Sequence, residues 1–122
     1  TQQYMDYCTA NSIPTKVFFT TGPVDNYSGE DAYINYLRWQ QIRDSVNLDP
    51  SRVLFDYSDI LCWDNNGIPT TTTWDGHTFP SGTIANTGSD ETGHITEVGA
   101  IRLAKAMWWM LARIAGWDGV VQ

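Results

Sequence analysis

A histidine that follows two acidic side chains is the sequence pattern most suited to proton transfer. His94 comes four residues after Asp90 and three after Glu91. A carboxylate at this spacing can orient the imidazole, fix its tautomer and stabilise the imidazolium, so that the histidine acts as a general base. A solvated histidine in an acidic turn has the same spacing, and spacing alone leaves both interpretations open.

Two tryptophans stand beside acidic and amide side chains. Trp63 begins the run Trp-Asp-Asn-Asn-Gly, and Trp74 begins the run Trp-Asp-Gly-His. An indole ring can stack on a sugar while its neighbours bind the hydroxyl groups, which would make Trp63 and Trp74 ligand-binding residues. The same runs contain Asn-Gly and Asp-Gly, which are common turn dipeptides. The oxygen atoms at 64–66 could also bind Ca²⁺, although their spacing is not that of an EF-hand loop.

Composition limits the classes of function. The chain has 122 residues, of which 42% are hydrophobic and 17% charged, as expected for one folded domain. Its net charge of −7 disfavours nucleic acid as a partner. No apolar run reaches the roughly 18 residues that span a bilayer, so no membrane partner is expected. Cys8 and Cys62 are too few for a structural zinc site, and we expect no metal and no cofactor.

The two cysteines suit either one disulfide or two buried free thiols. A second minor feature is Asn26, which begins an Asn-x-Ser glycosylation sequon.

The first half of the chain has the pattern of a βαβ unit. Residues 16–21 and 52–57 are apolar on both faces, which is typical of parallel strands covered by helices. Between them, apolar residues recur every three or four positions over 31–46, which predicts a helix. A further helix is predicted over 2–12. Asp56 and Asp59 flank the end of the second strand, and both are expected to cap the turn that follows it.

The second half is predicted to be a long loop followed by a long helix. Residues 63–93 are rich in Asp, Asn, Gly, Thr and Pro, and loops of this length are usually functional or disordered. Residues 96–115 predict a helix that Gly116 ends. That helix is apolar round most of its circumference, so we expect it to be buried by more protein than this sequence contains. Nearly all of its residues are apolar outside one narrow sector, which contains Arg102, Lys105, Trp109 and Arg113.

The run from Gly93-His94 to Gly119 resembles the C-terminal end of bacterial SGNH (GDSL-type) hydrolases, in particular a secreted-type subgroup whose last helix reads WWMLAR-AGWDG. Residues 17–25 (VFFTTGPVD) and 52–60 (RVLFDYSDI) are similar to two strands of that subgroup, and the resemblance covers roughly residues 1–119. It implies a flavodoxin-like three-layer α/β/α sandwich with parallel strands. It also implies a serine esterase, extracellular or periplasmic, that acts on an ester such as an acylated carbohydrate.

In that family the late histidine is the general base, and His94 stands at the matching position. The orienting acid usually comes three residues earlier, where this chain has Glu91, while Asp90 lies four residues earlier. Either acid can orient His94.

The family's Gly-Asp-Ser and Gly-x-Asn-Asp blocks, which supply the nucleophile and the oxyanion hole, do not occur in this sequence. Ser58, Ser81 and Ser89 are not predicted to occupy a strand-to-helix elbow. We therefore expect residues 1–122 to be the C-terminal portion of a single SGNH-type domain whose N-terminal half is absent, with an insertion-like loop at 63–93.

The expected partner is that missing half or a second chain. The alternative is a non-catalytic module, in which Trp63 and Trp74 face a glycan or the last helix packs against further copies in a homo-oligomer.

Overall fold

The structure is a computed structural model that describes residues 1–24, 28–88 and 94–120. Its elements in chain order are α1 (Gln2–Ala10), β1 (Phe18–Thr20), α2 (Gly29–Asn47), β2 (Val53–Phe55), α3 (Tyr57–Cys62), β3 (Thr71–Trp74), β4 (His77–Pro80), α4 (Ile84–Thr87) and α5 (Glu97–Ile114). The predicted helices and strands of the first half and the predicted last helix are confirmed, with small differences at their ends. The chain is a mixed α/β protein.

Strands β1 and β2 form a short parallel pair, in which Phe18 lies opposite Val53 and Thr20 opposite Phe55. Helix α5 packs against one face, where Phe55 forms the core; its buried partners are Leu61, Leu103 and Met110. Helix α2 lies on the other face, where it borders a groove with Phe19. Helices therefore lie on both faces of the pair, as the apolar pattern of its strands predicts, but Phe18 and Thr20 of β1 are exposed. Within the described ranges this sheet has two strands.

The prediction of a continuous loop over 63–93 is wrong for the residues that form β3, β4 and α4. Strands β3 and β4 pair as an antiparallel hairpin. Its turn is Asp75-Gly76, and both residues have positive φ angles, 46° and 78°. Two positive φ angles are the mark of a type I′ turn, whose twist matches that of the flanking strands. The Asp-Gly dipeptide thus closes a hairpin.

The N-terminal part of α5 is held against α3 and α4. The amide of Asn86 donates to the carbonyl oxygens of Leu61 (2.9 Å) and Trp63 (3.0 Å), and the carbonyl of Asn86 accepts from the backbone N–H of Thr96 (2.9 Å). Thr96 caps α5 by accepting from the N–H of Gly99 (3.1 Å). A chain of hydrogen bonds therefore joins the end of α3 to the start of α5.

Arg102 adds a second attachment for α5. Its guanidinium donates to the carbonyls of Ile60 (2.9 Å) and Asp64 (3.1 Å) and to the side-chain oxygen of Asn65 (3.1 Å). Arg102 and Lys105 lie in the same sector of the helix, but their surroundings differ. Arg102 is half-buried against α3, whereas Lys105 is exposed.

The outward face of α5 is apolar and uncovered by the described residues. Ile101, Trp108 and Trp109 are exposed, and Trp108 exposes 68% of its surface. The expectation that further protein buries this helix stays a prediction. No helix in the described part of the chain has the length and apolar character needed to cross a bilayer.

Substitution of Gly99 tests the contact between α5 and α4. A Cβ at this position would overlap with the backbone carbonyl oxygen of Asn86. We expect Gly99→Ala to lower the free energy of unfolding by roughly 1–3 kcal/mol, because overpacking outweighs the better helix propensity of alanine. Urea unfolding followed by circular dichroism measures this loss.

Ala100→Gly is the matched control, since Ala100 is exposed on the same helix. It should cost only about 1 kcal/mol, through helix propensity. Equal or greater stability of Gly99→Ala compared with the unmodified chain would contradict the close approach.

Candidate functional site

Four polar side chains meet where the parallel strands end. Thr21 directly follows β1 and Asp56 directly follows β2, so both lie at the carboxyl edge of the sheet, where α/β proteins commonly place their sites. Asp56 accepts hydrogen bonds from Arg43 of α2, at 2.6 Å from Nε and 2.9 Å from Nη2. It also accepts from the hydroxyl of Thr21 at 2.9 Å. Together with Ser58, these residues form what we call the Asp56 cluster.

The ion pair in this cluster is partly buried, with side-chain exposures of 18% for Arg43 and 23% for Asp56. Burial raises the pKa of Asp56, but hydrogen bonds and charge attraction from Arg43 and the Thr21 hydroxyl outweigh it, and the net pKa lies below its ordinary value. Burial likewise lowers the pKa of Arg43, but the Asp56 carboxylate reverses this effect and the net pKa is raised. Both side chains therefore stay charged at neutral pH.

Asp56 also caps α3, because its side chain accepts from the backbone N–H of Asp59 at 3.2 Å. The predicted capping role of Asp56 is confirmed. Asp59 instead accepts from the indole N–H of Trp63 at 3.2 Å. The Asp56 carboxylate is therefore engaged by donors from α2, from the segment after β1 and from α3.

Ser58 is the second residue of α3, which follows β2 after Asp56 alone, so the expectation that it has no strand-to-helix context is wrong. Its hydroxyl accepts from Arg43 Nη2 at 2.8 Å and lies 3.3 Å from the Asp56 carboxylate, to which it donates. Only 4% of the residue is exposed. A serine nucleophile needs an adjacent base and access to its substrate, and Ser58 lacks that access. Its hydroxyl completes the Asp56 cluster.

Cys8 and Cys62 are both buried free thiols, so the disulfide alternative is wrong and the free-thiol alternative is confirmed. Cys62 donates to the carbonyl oxygen of Ser58 at 3.1 Å. Burial raises the pKa of Cys62 to about 12, so this thiol remains protonated at neutral pH. A protonated, buried thiol is a poor nucleophile and a poor metal ligand.

His94 is exposed and lies two residues before the Thr96 cap of α5. The bonds between Thr96 and Asn86 fix the backbone that follows it. Asp90 and Glu91, the two acids predicted to orient His94, lie outside the described residues, as do Ser89 and the Asn26 sequon. The structure therefore places the predicted base on the surface, at the start of the helix that exposes Trp108 and Trp109.

The two tryptophans predicted to bind a ligand both make contacts within the fold. Trp63 is half-buried, with its indole N–H bound to Asp59 and its backbone bridged to Pro69. The Trp74 ring is half-buried 5.6 Å from the ring of Tyr33, which also stacks on His77 at 4.6 Å. This aromatic packing attaches the hairpin to α2.

The segment after Trp63 is built as a turn. The Asp64 carboxylate accepts from the backbone N–H groups of Asn66 and Ile68, each at 2.8 Å. This is the turn chemistry that the Asn-Gly dipeptide predicts. Among the described residues, no group of three or more His, Cys, Asp or Glu side chains is placed to hold a metal ion.

Residue spacing did not reveal the Asp56 cluster, because Arg43 and Thr21 reach Asp56 from 13 and 35 positions away. A usable signal was present: each apolar strand is followed directly by a hydrogen-bonding side chain. Comparisons with protein-family models, curated proteins and solved structures find no match to this chain.

The charge of Asp56 should stabilise the fold in a pH-dependent way. Because its pKa is lowered on folding, its contribution is fully present above the ordinary value of 3.8 and is lost as the pH falls through the lowered value. We expect Asp56→Asn to cost roughly 2–3 kcal/mol near neutral pH, since it leaves the partly buried Arg43 unpaired. The difference from the unmodified chain should shrink below pH 3.8. Urea unfolding between acid and neutral pH measures it.

Asp49→Asn is the control for this experiment. Asp49 faces Arg52 at 3.5 Å but is well exposed, so its removal should change stability little. If Asp49→Asn lowered the free energy of unfolding as much as Asp56→Asn, the Asp56 cluster would contribute no more to stability than an exposed ion pair.

Proposed function

We propose that this chain supplies the general base of an SGNH-type ester hydrolase, whose serine nucleophile comes from a segment or chain outside these 122 residues. The observation that supports this best is the position of His94. It is exposed at a fixed helix start, in a sequence context that resembles the end of such hydrolases. An accessible imidazole beside ordered backbone is what proton transfer to and from a substrate requires.

The proposed reaction has two acyl-transfer steps. The serine oxygen attacks the ester carbonyl while His94 takes the serine proton, and Asp90 or Glu91 stabilises the imidazolium. The tetrahedral oxyanion is held by donors supplied with the nucleophile. His94 then gives the proton to the leaving alcohol. In the second step His94 deprotonates a water molecule, which attacks the acyl-serine, and the serine recovers the proton as the acid leaves.

The exposed face of α5 supports the proposal that the domain is completed by further protein. Ile101, Trp108 and Trp109 present large apolar surfaces to solvent, and contiguous apolar surface of this kind marks interaction sites. The complete domain would be the flavodoxin-like α/β/α sandwich, of which β1, β2 and the helices on their two faces form a part. The resemblance also supports an acylated carbohydrate as substrate and a location outside the cytoplasm.

The alternative is a non-catalytic module that binds a glycan or assembles with copies of itself, and an exposed apolar face on α5 also belongs to such a module. Activity separates the two proposals.

Replacement of His94 tests the hydrolase proposal. In the natural full-length product, His94→Ala should lower kcat/KM for p-nitrophenyl acetate roughly 10²–10⁴-fold, because proton transfer loses its base. Residues 1–122 alone should not exceed the uncatalysed rate. His77→Ala is the matched control, since His77 is exposed in the hairpin and stacked on Tyr33, and it should leave the rate unchanged. Hydrolysis that survives His94→Ala would refute the mechanism.

The two candidate acids can be separated in the same assay. Asp90→Asn and Glu91→Gln each remove one charge without changing the side-chain length. The variant that orients His94 should lose activity roughly tenfold or more, whereas the other should keep it. Full activity of both single variants and of the double variant would exclude a carboxylate partner from this segment.

A further inference from the structure

The parallel pair is unevenly covered on the side that faces α5. Phe55 of β2 is 6% exposed, whereas Phe18 of β1 is 37% exposed. Both side chains border the same groove, together with Leu103 of α5. Helix α5 therefore covers β2 well and leaves β1 open. In the described part of the chain, β1 pairs with β2 along one edge and has no strand along the other.

The space beside β1 runs beneath α5. A groove of about 330 Å³ is bordered by Phe18 and Thr20 of β1 and by Ala104 and Met107 of α5. Ala104 also borders a second groove of about 530 Å³, whose other lining residues are Ile101, Lys105, Trp108 and Trp109. The exposed apolar face of α5 thus begins at the groove over the parallel pair and continues along the helix.

Two features of this space specify its occupant. An open strand edge offers unpaired backbone N–H and C=O groups, which an extended chain satisfies by adding a strand. The α5 side requires apolar side chains, because Ile101 and Trp108 are exposed there. A helix or a loop would meet the second requirement and leave the first unmet.

Charge argues against a second copy of this chain as the occupant. Lys105 lies within the exposed face, and among the described residues no carboxylate pairs with it. Pairing two identical faces would bring this cation to an equivalent face without an acid, between two molecules that each have a net charge of −7. An apolar strand with an acidic residue near Lys105 fits better.

We propose that the groove between β1 and α5 takes up an added β-strand, which pairs with the open edge of β1 and packs its apolar side chains under Ile101, Ala104 and Trp108. The strand donor is the protein that carries the serine nucleophile, and this identification rests on the proposed function. The preference of the groove for an extended apolar segment does not depend on ester hydrolysis.

The test uses the 122-residue chain and a blocked peptide of six alternating valines and isoleucines, ended by a glutamate for solubility and for contact with Lys105. The expected results are slower hydrogen exchange at the amides of β1 and a blue shift of tryptophan emission as Trp108 leaves water. The same peptide methylated at its internal amide nitrogens keeps the side chains but cannot pair as a strand. It should protect nothing.

Variants locate the binding in the groove. Ala104→Glu, which places a charge between the two grooves, should weaken binding about tenfold or more, equivalent to at least about 1.4 kcal/mol. Ala100→Glu is the matched control on the same helix and should bind normally, because Ala100 is exposed but does not border either groove. If Ala104→Glu does not fold, Lys105→Glu serves in its place, since it alters an exposed side chain.

Three results would overturn the proposal: unchanged exchange at β1 with saturating peptide, equal binding of the methylated peptide, or dimerisation of the chain through this face in sedimentation. No ester is present in the assay. Strand binding without hydrolase activity in the natural product would refute the proposed function alone, and activity without strand binding would refute the groove alone.

Discussion

The fold depends on the carboxylate of Asp56, which connects α2, the end of β1 and the start of α3. Each strand of the parallel pair has three residues, so the ladder between them contains few hydrogen bonds. A sheet of this size is marginal by itself and needs side chains to fix it. Asp56 provides them by binding α2 through Arg43, the end of β1 through Thr21 and the first turn of α3 through Asp59.

The cost of placing a carboxylate away from water explains why these contacts occur together. A partly buried charge destabilises the fold unless several donors replace its hydration. Arg43 supplies two N–H groups to Asp56 and a third to Ser58, and its remaining nitrogen donates to Gln40. Loss of one member therefore leaves the others unsatisfied. Because its groups bind one another from three parts of the chain, this network positions the sheet.

The sequence predicted the elements whose signals are local. The three- and four-residue spacing of apolar side chains located α2, the long apolar segment ended by Gly116 located α5, and the two-sided apolar strands located β1 and β2. The hairpin was missed because its first strand consists of three threonines and Trp74, which do not give an apolar alternation. It is held by a Thr73–Thr78 hydrogen bond of 3.1 Å and by burial of Phe79, contacts that appear only after the chain folds. Arg43 was missed for a similar reason, since its partner is not its neighbour on the helix.

The beginning of α5 attaches the helix to the fold, whereas its later turns expose an apolar face. Thr96, Gly99 and Arg102 fasten its beginning to α3 and α4, and His94 stands just before that fastened end. Its later turns bury Met110 on one side and expose Trp108 on the other. One rigid rod therefore connects the proposed base to the proposed contact surface. A partner that seats on the later turns would be held in a constant relation to the imidazole.

The exposed indole rings of Trp108 and Trp109 also affect the solubility of the isolated chain. The net charge of −7 makes molecules of this chain repel one another, and this repulsion opposes association through the exposed apolar face of α5. Dissolved ions shorten the reach of that repulsion, to about 10 Å at 0.1 M ionic strength. Concentrated stocks should accordingly remain clear in dilute buffer and turn cloudy as sodium chloride is added.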